Sequence, residues 1–347
     1  MNFYLLFITA LTLIGIKIYP VKFNKQYLSK ENTACIKGIF ILIVFISHAN
    51  TYINYDLKFS TITQTFLYHL SQLMVTMFLF YSGYGVLESI KKKKQNYVDN
   101  IPRNRILKTL FHFDVVILTF LIINIILGNK YGIIRILLSF TGWLEIGNSN
   151  WYIFSILVLY FTTYLSFSIF KNDTKKAVFT NVILTILIMI SLYSLKGSEQ
   201  SYWYNTLLCY PFGLIYSLYK DSINKLLFNN KTYYLLLITL LIIFICIKKV
   251  QYLNIVFYSI VALMFVFLIV MVTMKVNINN RYLKWFGDNL FYMYILQRIP
   301  MIVLTKLGYV NNHGYRFLLL SFIITVVLSI IYKAFLNKAD EYLFKKK

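Results

Sequence analysis

Uncharged, mostly apolar runs of roughly seventeen residues or more recur along the whole of this 347-residue chain, and about 30 Å of bilayer hydrocarbon needs a helix of that length. Inside a bilayer no water completes the backbone hydrogen bonds, so spanning segments fold as helices or closed barrels. These runs are continuous rather than alternating, which selects helices. Composition agrees: 59% of residues are hydrophobic and 14% charged, whereas soluble domains are about a quarter charged. The expected fold is all-α, a polytopic membrane bundle with no room for a sizeable soluble domain.

Placed roughly, the spans are 3–19, 36–55, 62–87, 106–127, 150–170, 177–195, 203–219, 232–248, 253–274, 287–307 and 316–335, about eleven in all. They divide the chain into an N-terminal anchor and basic loop (1–29), a membrane domain with about ten core helices (30–336) and a basic tail (337–347). The first run has no basic residues ahead of it; Lys17, Lys22 and Lys25 follow it. That order fits a retained anchor inserted N-terminus outward rather than a cleaved signal peptide.

The net charge of +23 reads as topology here, since Lys and Arg concentrate in cytoplasmic loops. Placing 88–108 in the cytoplasm, with Lys91 to Lys94, Arg103, Arg105 and Lys108, fixes every other loop by alternation. Segments 17–37, 88–108, 171–176, 220–231, 275–284 and 333–347 then hold 26 of the 35 basic residues. Lys345, Lys346 and Lys347 fall inside, and the short loop with Asp56 and Lys58 outside. The expected location is a plasma membrane, with the lipid bilayer as partner and no nucleic acid. Cys35, Cys209 and Cys246 lack paired short spacing, which suits packing rather than disulfides, and no metal site is expected.

The stretch from Cys35 to Asn50 carries the sharpest functional signal. Lys37 and His48 are eleven residues apart, about 16 Å along a helix and within about 20° of one face. Polar groups at membrane depth face a cavity or a partner. The plainer reading has Lys37 snorkelling to the headgroups and His48 packed near the far interface.

Other polar features recur at span ends. Phe80-Tyr81-Ser82-Gly83-Tyr84-Gly85 combines small residues that allow close helix packing or line a cavity. Arg105, Lys108 and His112, at i, i+3 and i+7, form a cationic stripe suited to the phosphates of a nucleotide-containing donor, or simply the positive-inside signal. Asp114 points to another face and calls for a cationic partner elsewhere. Residues 131–140 read as an interfacial or re-entrant segment. They lead to Asn150-Trp151-Tyr152, where Trp151 is an interface anchor or a substrate contact. Pro211 predicts a kink in the seventh span. Gln297 and Arg298, beside Pro300, lie inside the tenth span, where an arginine requires a polar cavity.

These residues, in order, resemble the acyltransferase-3 family of membrane proteins, which O-acylate cell-envelope and exported glycans. Lys37 to His48 is similar to that family's Arg/Lys-x10-His motif. Phe80 to Tyr84, the basic run around Arg103 and Arg105, Asn150-Trp151-Tyr152 and Gly287 to Pro300 resemble further motifs of the family, together covering about residues 30–335. The resemblance implies a ten-helix bundle and a cytosolic donor, typically acetyl-CoA, in a standalone form without a fused extracellular domain. It implies His48 as general base or acyl carrier, with Lys37 on the polar part of the donor and Arg105 and Lys108 on its phosphates. Ser82, Trp151, Gln297 and Arg298 then serve the acceptor glycan or the oxyanion. Gln297 stands where many members carry histidine. The rival expectation is an envelope-glycan transporter, which shares the polar cavity but calls for repeat symmetry and paired broken helices that this sequence lacks.

Overall fold

The computed structural model describes residues 3–53, 61–310 and 314–344. Asp56, Lys58 and the terminal lysines Lys345 to Lys347 lie outside the described residues. In chain order the helices and strands are α1 (Phe3–Leu13), β1 (Ile16–Ile18), α2 (Lys30–Ala49), α3 (Thr61–Leu70), α4 (Leu73–Lys93) and α5 (Gln95–Asp99). A π-helical turn (Pro102–Leu107) then leads into α6 (Lys108–Ile126), followed by α7 (Ile133–Ser139), α8 (Trp151–Ile169), α9 (Thr174–Lys196), α10 (Cys209–Leu227), α11 (Asn230–Lys248) and α12 (Ile255–Lys275). The chain closes with β2 (Val276–Ile278), α13 (Arg281–Asp288), α14 (Leu290–Leu296), α15 (Arg298–Lys306) and α16 (Gly314–Leu343).

Among the described residues, eight helices are long and apolar enough to cross a membrane. Four of the eleven expected spans differ. α1 has 11 residues, about 16 Å at 1.5 Å per residue, short of a full crossing; the chain then turns into β1, paired antiparallel with β2. The seventh span begins late, at Cys209, so Pro211 sits in the first turn of α10. An imide nitrogen there lacks only a donor that would have been unpaired, so the proline starts the helix instead of kinking it. The tenth span is broken into α14 and α15 at Gln297. The third expected span is likewise split, into α3 and α4, at Ser71, whose φ is +42°.

Contacts sort the connections into two ends. At one end, β1 pairs with β2, the Asn24 amide donates to the Met274 carbonyl (2.8 Å) and the Tyr27 hydroxyl donates to Asn224 Oδ1 (2.7 Å). Lys275 belongs to the same end; its ammonium donates to the carbonyls of Pro20, Val21 and Lys22 and to Asn230 Oδ1, and lies 3.6 Å above the Phe23 ring. Segments from the basic side of the expected topology therefore meet one another. At the far end, Arg135 donates to the Glu145 carbonyl, Asn124 to the Ile146 carbonyl, and the Lys196 ammonium lies 3.6 Å from the Trp143 ring centre and 4.0 Å from that of Trp203.

Two glycine seams hold the interior together. Lipid supplies no hydrophobic force between helices, so association depends on close packing. Where α2 meets α13, the Leu283 carbonyl occupies the space a Gly38 Cβ would need, and the Ala34 carbonyl does the same at Gly287. Where α4 meets α10, the pattern repeats with Gly83 against Tyr210 and Gly213 against Phe80.

Candidate active site

The start of α2 is fixed by a cap: Ser29 accepts the Asn32 amide, while the Asn32 side chain donates to the Tyr27 carbonyl and accepts from the Ile278 amide. From that anchored turn Lys30, Thr33 and Lys37 fall on one face at helical spacing and line a cavity of about 630 Å³ at the basic end. The Gly38–Gly287 seam brings α13 so close that Asp288 enters the same cavity beside Lys37. Lys37 makes no ion pair among the described residues, and Asp288 is paired with Lys284.

α4 contributes Ser82, Gly85 and Ser89, and α8 contributes Tyr152, Ile156 and Tyr160, each set on one helix face. Arg105 enters from the π-helical turn. Its Nε donates to the Tyr97 hydroxyl at 3.0 Å, and its guanidinium carbon lies 5.9 Å from the ring centres of Tyr97 and Tyr160. The guanidinium is thus oriented by two aromatic rings with most of its donors left for a ligand.

Beyond the cavity an aromatic succession leads into the bundle. Phe78 packs 6.1 Å from Tyr152, Tyr152 5.4 Å from Tyr294, and Tyr294 6.1 Å from His48, between ring centres. The His48 Nδ1 is buried without a hydrogen-bond partner among the described residues, as are the Tyr81 hydroxyl and Gln297 Oε1. Gln297 is fully buried and donates to the Tyr294 carbonyl at 3.0 Å. Arg298 follows it, donates to Ser149 Oγ at 2.9 Å, and acts electrostatically on His48 and Tyr52. Buried polar atoms are ordinarily satisfied, so the orphan nitrogen of His48 and the orphan Tyr81 hydroxyl on the cavity wall mark places able to receive polar groups.

The structure therefore gathers Lys37, Arg105 and Ser82 at one cavity and Gln297 and Arg298 around His48. It does not gather Lys108 or Trp151. Lys108 pairs with Asp340 of α16 at 2.6 Å, and His112 Nε2 meets the same carboxylate at 2.9 Å. The expected stripe fails because the π turn closes i to i+5, one extra residue or about 100° of rotation, so Arg105 points elsewhere than Lys108. Trp151 packs on Tyr202 and Tyr152 rather than on the cavity. Asp114 has no ion-pair partner among the described residues, and its Oδ1 is buried without a hydrogen bond, contrary to the cationic partner its depth suggested.

Sequence reasoning missed Tyr160 and Asp288, and read Tyr152 together with Trp151 as an interface anchor or a substrate contact. Tyr152 and Tyr160 share one face with Ile156, a polar-tipped stripe legible at i, i+4, i+8. Asp288 follows Gly287 and reads as an ordinary solvated carboxylate until the seam places it opposite Lys37.

The family model described as an acyltransferase domain, acyltransferase-3, matches residues 34–334. No curated protein and no solved structure matches the chain. The matched span takes in both glycine seams, the cavity residues from Lys37 to Phe291 and the surroundings of His48, and the chain belongs to the acyltransferase-3 family.

Proposed function

We propose that this membrane acyltransferase is an O-acyltransferase that takes an acyl group, acetyl in the first instance, from acyl-CoA at its basic end and delivers it to a glycan hydroxyl at the far end. One observation carries the reading: a cavity bearing Lys37 and Arg105 is connected, by the packed rings of Tyr152 and Tyr294, to His48, whose Nδ1 has no hydrogen-bond partner among the described residues. The two cations suit the phosphates of a coenzyme A thioester, and the concentration of 26 of the 35 basic residues on that side supports a reading in which it faces the cytoplasm of a bacterial plasma membrane. On that orientation the N-terminus is outside and the C-terminus cytoplasmic.

His48 acts as general base. It takes the proton of an acceptor hydroxyl as the hydroxyl oxygen bonds the thioester carbonyl carbon. The C–S bond then breaks, the proton passes to the sulfur, and free thiol and an ester are the products. Ser82, Gln297 and Arg298 are the donors available to a developing oxyanion. Proteoliposomes given acetyl-CoA labelled in the acetyl group test the proposal: the label should move into added envelope glycan as a base-labile ester. A transporter would move glycan across the bilayer and leave the thioester intact.

A further inference from the structure

A second, separate opening lies at the far end of the bundle. A cavity of about 700 Å³ is lined by Ser47, Asn50 and Thr51 of the α2 terminus, by Ser71, and by Tyr68 and Tyr252. Ser47 and Thr51 are the i−1 and i+3 neighbours of His48, so this opening meets α2 within one turn of His48 along the axis, on an adjoining face of the helix. Among the described residues, no Lys, Arg, Asp or Glu lines it. Asn50 Oδ1 is buried there without a hydrogen bond among the described residues. Tyr68 and Tyr252 are 63% and 56% exposed, their ring centres 6.2 Å apart.

The same two tyrosines also line an adjoining cavity of about 440 Å³ whose other walls include His69, Lys248 and Lys249. The two openings therefore form one groove, neutral and hydroxyl-rich next to His48 and basic farther out. Lys248 donates to Gln251 Oε1 at 2.8 Å and lies in no ion pair among the described residues, and neither does Lys249. Exposed tyrosines at helix ends also anchor proteins at the membrane interface. These two instead stand on both sides of an open cavity, with hydrogen-bonding side chains beneath them.

We infer that this groove binds the acyl acceptor, and that the acceptor is an anionic, hydroxyl-rich polymer. The hydroxyl to be acylated lies over Ser47, Asn50 and Thr51, a repeat unit packs against Tyr68 and Tyr252, and a neighbouring phosphate or carboxylate meets Lys248 and Lys249. Amides and hydroxyls match a polyol in hydrogen-bonding capacity, tyrosine faces match the C–H faces of a sugar or polyol, and the paired ammonium groups select anions. The assignment rests on the acyl-transfer reading of His48, but it is tested by binding alone.

The experiment uses the detergent-purified full chain with two fluorescent probes of equal length, a glycerol-phosphate oligomer and a neutral glucan oligomer. The phosphate oligomer should bind more tightly, and added salt should weaken it. K248Q/K249Q should weaken that binding by about tenfold, two exposed charge contacts of up to about 1 kcal/mol each, while Tyr252→Ala should weaken both probes. Equal binding of the two probes, no binding of either, or indifference to K248Q/K249Q and Tyr252→Ala would each overturn the assignment. Selective binding without any transfer from acetyl-CoA would leave the groove assignment standing and refute the acyl-transfer reading instead.

Discussion

Gly83 of α4 and Gly213 of α10 face each other across a seam in which each helix's backbone fills the space of the other's missing side chain. The Tyr210 carbonyl lies against Gly83 and the Phe80 carbonyl against Gly213. This contact sets the height of α4, and with it the position of Ser82, the immediate neighbour of Gly83, on the cavity wall. Gly85, two residues further on, has nothing within 4 Å of its would-be Cβ.

Alanine at these two positions should therefore act in opposite directions. Gly83→Ala forces backbone apart and is expected to cost roughly 1–3 kcal/mol, the range for overpacking a tight interior. Gly85→Ala meets no obstacle and lowers the backbone entropy lost on folding, so it should be neutral or stabilising by up to about 1 kcal/mol. Thermal unfolding in detergent separates them; equal behaviour of the two variants would remove the seam from the account.

Arg105 and Lys108, three residues apart, should also part company. Arg105→Gln removes a cavity cation and is expected to raise the KM for acyl-CoA by roughly 10- to 100-fold, the equivalent of about 1.5–3 kcal/mol for hydrogen bonds to a charged group. Lys108→Gln breaks the pair with Asp340 and should lower thermal stability while leaving that KM near its wild-type value. Steady-state kinetics at varied acyl-CoA decides between this division and a shared phosphate-binding role.

Gln297 offers a test that separates function from stability. Its Oε1 is buried without a hydrogen-bond partner among the described residues, and such a group costs about 1–3 kcal/mol. Gln297→Met keeps the volume, gives up the bond to the Tyr294 carbonyl and removes the orphan oxygen. The variant should be at least as stable as wild type but slower in transfer. A stable variant with an unchanged kcat would show that Gln297 serves packing alone.

Much of the membrane architecture was legible in the sequence, because apolar run length reports helices directly and the Lys/Arg distribution reports which loops share an end. The contacts of β1 with β2 and of Tyr27 with Asn224 join segments assigned to one side by charge. Breaks were not legible. The split at Gln297 and the turn at Ser71 leave hydropathy unchanged, since a window average does not sense backbone direction. At the site, Lys37, Arg105 and Ser82 could be read from residue type and spacing, whereas Lys108 was misplaced because a π turn is invisible to a count of 3.6 residues per turn. Asp288 joined the site through long-range packing at Gly38 and Gly287, which no local pattern encodes.

The central claim is that the buried imidazole of His48 performs the proton transfer. The most direct measurement is release of free thiol from acetyl-CoA by purified protein in the presence of envelope glycan, comparing wild type with His48→Ala at matched thermal stability. Loss of a general base predicts a fall of roughly 10²- to 10⁴-fold with the KM for acetyl-CoA little changed. A His48→Ala protein that releases thiol at the wild-type rate would contradict the account.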